Sequence, residues 1–370
     1  MANPLREIQA LGQAIWIDNL HRGLLDEGIL RRLIDEDGIS GVTSNPTIFK
    51  KGVGDSDRYD DAIREIAPES DDPQPVFEQL AYRDVRDAAD LLRPTFERTG
   101  GQDGFVSFEL PASLAYDTDK SITAAEHHRA QIDRPNVFIK VPGTEQGVRA
   151  FEELTARGIN VNVTLLFAVE RYREIAEAYL RGLERRLDGG EPITRSASVA
   201  SFFVSRVDSK VDKALEGSGR EDLRGKAAVA NAKLAYEAFG QIFAGERWDR
   251  LRSEGAGFQR PLWASTSTKN PDFPDTLYVD ELIGPETVNT MPDATIEAAR
   301  DHATVTRTVD RDVESAHEVM QSIRQAGVDV DDIVLRQLVT EGVDAFAASY
   351  EELLATLAAK MERLRRRTAA

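Results

Sequence analysis

What most constrains this chain is an alternation. Short runs of β-branched and aromatic residues recur, and nearly every one is followed by a stretch with apolar residues at helical spacing. The strand candidates are 14–19, 39–47, 105–110, 136–144, 159–167, 197–204, 261–265 and 276–282. Helical patterns fall at 24–34, about 56–67 and 75–98, then 121–132, 143–156, 168–186, 206–216, 222–244, 293–303, 311–326 and 331–366. Strands separated by helices pair in parallel, and eight such units favour closure over an open doubly wound sheet. No G-x-G-x-x-G follows the first strand, which removes support for a dinucleotide-binding sheet. The expected fold is α/β: a single (β/α)8 TIM barrel domain over 1–370, with the barrel core at about 11–305 and additional helices at about 306–370. The last of these is long, with Leu353, Leu354, Leu357, Met361 and Leu364 on one face. Arg365, Arg366 and Arg367 after it read as a solvated terminus that complements the helix dipole.

Charge narrows the function classes. With 46 basic against 64 acidic residues, the formal net charge is −18, which argues against a nucleic-acid or anionic-membrane surface and requires any basic site to be local. The chain has no cysteine, hence no disulfide, thiolate nucleophile or cysteine metal site. The start, Met1 to Glu7, lacks an apolar core after a basic opening, and no later run approaches the ~18 apolar residues of a membrane span. A cytoplasmic protein is expected, monomer or homodimer. The acidic run 68–73 reads as a solvated loop without function. His127 and His128 are adjacent and therefore splayed on a helix, so no metal site and no cofactor are expected.

One residue is out of place. Lys140 sits in the run Asn136-Val137-Phe138-Ile139-Lys140-Val141-Pro142, which is apolar enough to be buried on both faces. A buried amine loses hydration, which favours the neutral form that attacks carbonyls. Against this stands a lysine that snorkels to solvent or pairs with a carboxylate. In such barrels chemistry lies at the carboxyl ends of the strands, where this sequence has Asp18, Thr43 to Asn45, Glu109, Lys140, Thr164, Ser201 and Ser265. Individually, strand-end Asp, Asn, Ser and Thr more often cap a helix or close a turn. Together, an amine with two carboxylates suits Schiff-base chemistry on a carbonyl compound, one acid/base serving dehydration and the other cleavage.

The segments Gly41-Val42-Thr43-Ser44-Asn45-Pro46-Thr47, Ile139-Lys140, Asn162-Val163-Thr164-Leu165-Leu166-Phe167 and Ser201-Phe202-Phe203-Val204-Ser205-Arg206 resemble transaldolase, in order, from about residue 11 to beyond 350. The resemblance implies a metal-independent class I aldolase-type barrel of the pentose phosphate pathway. Such an enzyme moves a dihydroxyacetone unit from sedoheptulose 7-phosphate or fructose 6-phosphate to glyceraldehyde 3-phosphate or erythrose 4-phosphate. It implies Lys140 as the Schiff-base residue, Asp18 as the acid/base of carbon–carbon cleavage and Glu109 as the acid/base of imine formation through a water. By the same resemblance Asn45 and Ser201 bind dihydroxyacetone hydroxyls, Thr164 holds the water and Arg206 grips phosphate. Thr43 and Ser265 are expected to line the substrate site. The pattern departs at Ala264-Ser265-Thr266-Ser267-Thr268-Lys269-Asn270, where the family commonly has Ser-Phe-Arg-Asn. Ser267 falls at the arginine position, and Lys269 is either its replacement as a point charge or an exposed loop lysine. The rival functions are a lyase that releases free dihydroxyacetone, as fructose 6-phosphate aldolases do, and an inert sugar-phosphate-binding barrel.

Overall fold

The computed structural model describes residues 3–54, 56–67 and 70–368. Its strands are β1 (Gln13–Asp18), β2 (Gly41–Thr43), β3 (Phe105–Glu109), β4 (Val137–Pro142), β5 (Val161–Leu166), β6 (Ser198–Phe203), β7 (Gln259–Ala264) and β8 (Thr287–Met291). All pair in parallel in sequence order, and β8 returns to β1 to close a (β/α)8 barrel. A parallel pair needs a crossover, and helices supply it on the outside, so the strands are buried along nearly their whole length.

Sequence pattern accounts for most of these elements. Helix Pro73–Arg98 starts where Asp72 accepts the Gln74 amide at 2.9 Å and a proline occupies the first turn, where its missing N–H costs nothing. Helix Glu145–Ala156 is capped by Thr144 in the same way. Aromatic rings fill the wall between β1, β3 and β4: the Phe105 and Phe138 ring centroids are 4.0 Å apart and Trp16 lies 6.1 Å from Phe138. Gly41 permits this, because a Cβ there would sit 2.3 Å from the Trp16 ring.

The eighth strand is not where the sequence predicts it. Residues 276–282 contain a short helix, Leu277–Asp280, whose first turn closes locally: the Thr276 carbonyl accepts the Val279 and Asp280 amides at 2.9 Å, and the Thr276 hydroxyl donates to Asp280 at 3.0 Å. The true β8 reads Thr-Val-Asn-Thr-Met, too polar to register as an apolar run. Its polar side chains are nonetheless buried, and most of their groups are paired: Thr287 with Gln13 at 2.9 Å, the Asn289 oxygen with Thr266 at 3.0 Å, Thr290 with Thr43 at 2.7 Å. Helices Pro4–Ala10, Pro46–Gly54 and Glu246–Ser253 also go beyond the predicted set, and the helix expected at about 56–67 is only Asp60–Ile66.

The C-terminal helix, Leu338–Thr368, follows a π-helical turn, Ile333–Gln337, and buries Leu353, Leu357, Met361 and Leu364 as its periodicity predicts. It packs on helix Pro46–Gly54 and is fastened there by the ammonium of Lys360, a side chain only 3% exposed. That group donates to the Val53 carbonyl at 2.9 Å and to the Ser56 carbonyl, and pairs with Asp60 at 2.8 Å. Arg365 is not simply solvated, as expected, but donates to the Ala67 and Ser70 carbonyls at 3.2 and 3.3 Å and pairs with Asp71 at 2.8 Å. Of the predicted loop 68–73, Pro68 and Glu69 lie outside the described residues, as do Met1, Ala2 and the side chain of Arg367. Among the described residues no helix is long and apolar enough to cross a membrane.

Candidate active site

Strand register assembles the site. Glu109 pairs with Lys140 across β3 and β4, Lys140 with Asn162 across β4 and β5, and Asp18 with Thr43 across β1 and β2. Side chains at paired positions point to the same face, so the amine, both carboxylates and their amide neighbour converge. Lys140 is 5% exposed, with its ammonium donating to the Ser44 carbonyl at 2.8 Å and to Glu109 Oε2 at 3.2 Å. Both its obvious partners are therefore inside, and it does not snorkel to solvent.

Asp18 is held by Thr43, whose hydroxyl donates to Asp18 Oδ1 at 2.7 Å. That leaves the Thr43 oxygen to accept from Thr290, 2.7 Å away. Burial raises the pKa of Asp18 above the usual carboxylate range, opposed by the Lys140 charge and the Thr43 hydrogen bond. Burial also raises Glu109, opposed by the Lys140 charge and its hydrogen bond, and the Asp18 charge pushes it further up. Two carboxylates held reluctant to ionise beside one amine are suited to exchange protons with a reacting group.

Around them lies a cleft of about 160 Å³, lined by Asp18, Thr43, Asn45, Lys140, Thr164 and Ser201, and on its outer side by Arg206, Ser265 and Lys269. The structure thus brings together every residue singled out from the sequence except Glu109, which stands against the Lys140 amine and off the wall. Asn45 also caps helix Pro46–Gly54 by accepting the Ile48 amide at 3.2 Å, so its bland and functional readings coexist. Ser201 donates to Asn162 Oδ1 at 2.6 Å, and Asn162 donates onward to Ser107 at 3.1 Å. Ser265 adopts φ 55°, an uncommon left-handed conformation for a non-glycine residue. It is held there by the Ser205 amide at 3.1 Å and the Ser205 hydroxyl at 2.8 Å. A break in register between Val163 and Leu166 of β5 marks a bulge beside Thr164, with Leu165 also at φ 55°.

Arg206 projects from helix Val204–Leu215 and is stacked by two rings, 5.0 Å from the Phe203 centroid and 5.7 Å from that of Phe346. Among the described residues no carboxylate stands at hydrogen-bond distance from it, and its guanidinium lines the cleft. Lys269 is exposed and donates to Ser267 at 2.6 Å, both facing the cleft. Sequence reasoning missed Asn162, Thr290 and Phe346. Asn162 carries the signal that marked Lys140, a polar residue in an apolar strand, whereas Thr290 was hidden by the misplaced eighth strand. Nothing in the sequence marks Phe346, which reaches the cleft from the C-terminal helix. A larger hollow of about 640 Å³ lies elsewhere, among Gln13, Ser40 and Arg260 near the amino ends of β1, β2 and β7, and contains no amine–carboxylate set.

Residues 15–357 match the family model described as transaldolase/fructose-6-phosphate aldolase. The chain is 46% identical over 369 residues to the transaldolase of Acidothermus cellulolyticus, covering 99% of both chains. It is 43% identical over 376 residues to the transaldolase of Trichodesmium erythraeum, covering 98% of this chain and 99% of that one. With the transaldolase of Saccharopolyspora erythraea it shares 46% identity over 360 residues, covering 97% and 98%. An amine–carboxylate cleft at the carboxyl end of a parallel barrel, together with relatives matched along almost their full length, leads to one assignment: the chain is an enzyme, a transferase, and belongs to the transaldolase/fructose-6-phosphate aldolase family.

Proposed function

We propose that this transaldolase transfers a dihydroxyacetone unit, reversibly, from sedoheptulose 7-phosphate or fructose 6-phosphate to glyceraldehyde 3-phosphate or erythrose 4-phosphate through a Schiff base on Lys140. The observation that carries this reading is the Lys140 ammonium, buried in hydrogen-bond contact with Glu109 on a face shared with Asp18. The neutral amine attacks the ketose carbonyl to give a carbinolamine, which loses water as Glu109 supplies the proton through a bound water. The position of Glu109 off the cleft wall supports that indirect role. Asp18 takes the proton of the hydroxyl on C4, the bond between C3 and C4 breaks, and the electron pair passes into the protonated imine. The aldose phosphate leaves, and the enamine then attacks the acceptor aldehyde while Asp18 returns the proton. Hydrolysis through Glu109 frees Lys140. Asn45 and Ser201, with Thr43 behind Asp18, face the dihydroxyacetone hydroxyls, and Thr164 holds the water. Arg206 binds the phosphate, with Ser265 and Lys269 completing its pocket where Ser267 replaces the family's arginine.

Borohydride reduction in the presence of fructose 6-phosphate, followed by peptide mapping, tests the mechanism. The expected product is a single reduced adduct on Lys140. An adduct on another lysine, or none, rejects it. Turnover of fructose 6-phosphate with and without glyceraldehyde 3-phosphate separates transfer from free cleavage: the reading requires the acceptor for sustained turnover.

A further inference from the structure

Outside the cleft, His127 and His128 stand side by side on helix Thr118–Ile132, the first exposed and the second buried. Their ring centroids are 5.5 Å apart, and Glu78 from helix Pro73–Arg98 reaches across to them. One donor atom from each of the three lies within 4.8 Å of the others. Successive residues on a helix are about 100° apart, but long rings at the edge of a buried stripe lean toward the same groove when a second helix borders it. His128 is the fixed member: it is 4% exposed, packed between Tyr82 and Phe108 at 5.8 and 5.1 Å, and bonded at Nδ1 to the Tyr82 hydroxyl at 2.6 Å. That contact leaves Nε2 available. Glu78 is half-buried, with Oε1 taken by Gln74 at 3.1 Å and Oε2 without a hydrogen-bond partner among the described residues, and His127 is exposed.

We propose that Glu78, His127 and His128 form a binding site for one divalent transition-metal ion of the zinc class that ties helix Pro73–Arg98 to helix Thr118–Ile132. Two imidazoles and a carboxylate are a recurrent zinc set that leaves a fourth position for water, whereas calcium and magnesium require oxygen-rich sites. Zinc bonds of about 2.0–2.2 Å require the donors to draw closer than they stand, a movement within reach of the exposed His127 and the half-buried Glu78. Tyr82 fits as the outer partner: with the metal on Nε2, the other ring nitrogen carries a proton and donates it to the Tyr82 oxygen, which sets the ring orientation. The site shares no residue with the Lys140 cleft, so it stands or falls independently of the proposed mechanism.

The test uses the full chain without an affinity tag, stripped by chelator. Calorimetric titration with zinc chloride should give one site per chain, and cobalt(II) should give the intense visible bands of a four- or five-coordinate ion. Zinc should also raise the melting temperature. His127→Ala and Glu78→Gln, both expected to melt like the parent without metal, should each weaken zinc binding at least tenfold, and Tyr82→Phe by roughly tenfold. His302→Ala, which removes a surface histidine beside Asp275 and Asp301, should change nothing. Absence of stoichiometric zinc binding, or binding unchanged in the His127→Ala/Glu78→Gln double variant, overturns the proposal. So does loss of binding in His302→Ala.

Discussion

Asp18 and Glu109 are both buried, both raised above the usual carboxylate range and both opposed by the same lysine, yet their supports differ. Thr43 stabilises the ionised form of Asp18 by a 2.7 Å hydrogen bond, while Glu109 relies on Lys140 itself. In the proposed mechanism Asp18 must be ionised to accept the hydroxyl proton, so the acid limb of kcat/KM is expected to follow its pKa. Removing the Thr43 hydroxyl removes a group that lowers that pKa, so the pKa rises further. Thr43→Val should therefore move the acid limb to higher pH and lower kcat/KM along that limb by about tenfold, the value of one hydrogen bond to a charged group. A pH–rate profile checks this, and an unmoved limb would remove Thr43 from the control of Asp18. Lys269 is a second residue-scale question, because a point charge stands near where the family commonly has a fork. Lys269→Ala should raise KM for the phosphorylated donor by about tenfold and leave kcat within twofold. Unchanged KM would return Lys269 to the status of an exposed loop lysine. At this scale Lys140 and the carboxylates were legible because a charge in an apolar strand contradicts its surroundings. Thr290 was not legible, because a threonine in a short polar stretch contradicts nothing.

Elements are held by contacts that no local pattern encodes. The apolar stripe of the C-terminal helix was readable from its spacing, but the groove it fills is bordered by helix Pro46–Gly54, about three hundred residues earlier in the chain. Lys360 is the clasp. Its ammonium is buried among two carbonyls and Asp60, so truncation leaves a carboxylate and two acceptors without their cation. Lys360→Ala should cost about 3–5 kcal/mol in urea unfolding, and adding Asp60→Asn should recover part of that loss. Equal stability of the single and double variants would show that the carbonyl bonds alone hold the clasp. The same helix delivers Phe346 to Arg206, so its docking helps to shape the cleft around that guanidinium. Strand β8 shows the opposite case: its polar residues are stable in a buried position because β1, β2 and the β7 loop supply partners for them.

In the whole molecule, the closed barrel and the helix laid across it share one core. Leu353, Leu357, Met361 and Leu364 are each almost fully buried, and side chains of that size contribute ~1.5–3 kcal/mol apiece. Their sum is comparable to the ~5–15 kcal/mol that separates most folded proteins from their unfolded state. A chain ending at residue 345 should therefore fail to fold cooperatively, seen as exposed hydrophobic surface by dye binding and loss of a sharp melt. A sharp melt in that variant would show that the barrel stands alone. Although the net charge is −18, the barrel gathers Lys140, Arg206 and Lys269 at one cleft. The sequence by itself determined the alternating strands and helices, hence the parallel closed sheet, and the lysine whose burial that sheet requires. Both follow from local period and from the cost of placing a charge among apolar residues. Only the tertiary structure decided which stretch becomes β8, which helix face meets Arg206, and that Glu78 meets two histidines from another helix. Those outcomes depend on partners distant in the chain, and a residue's own neighbours carry no record of them.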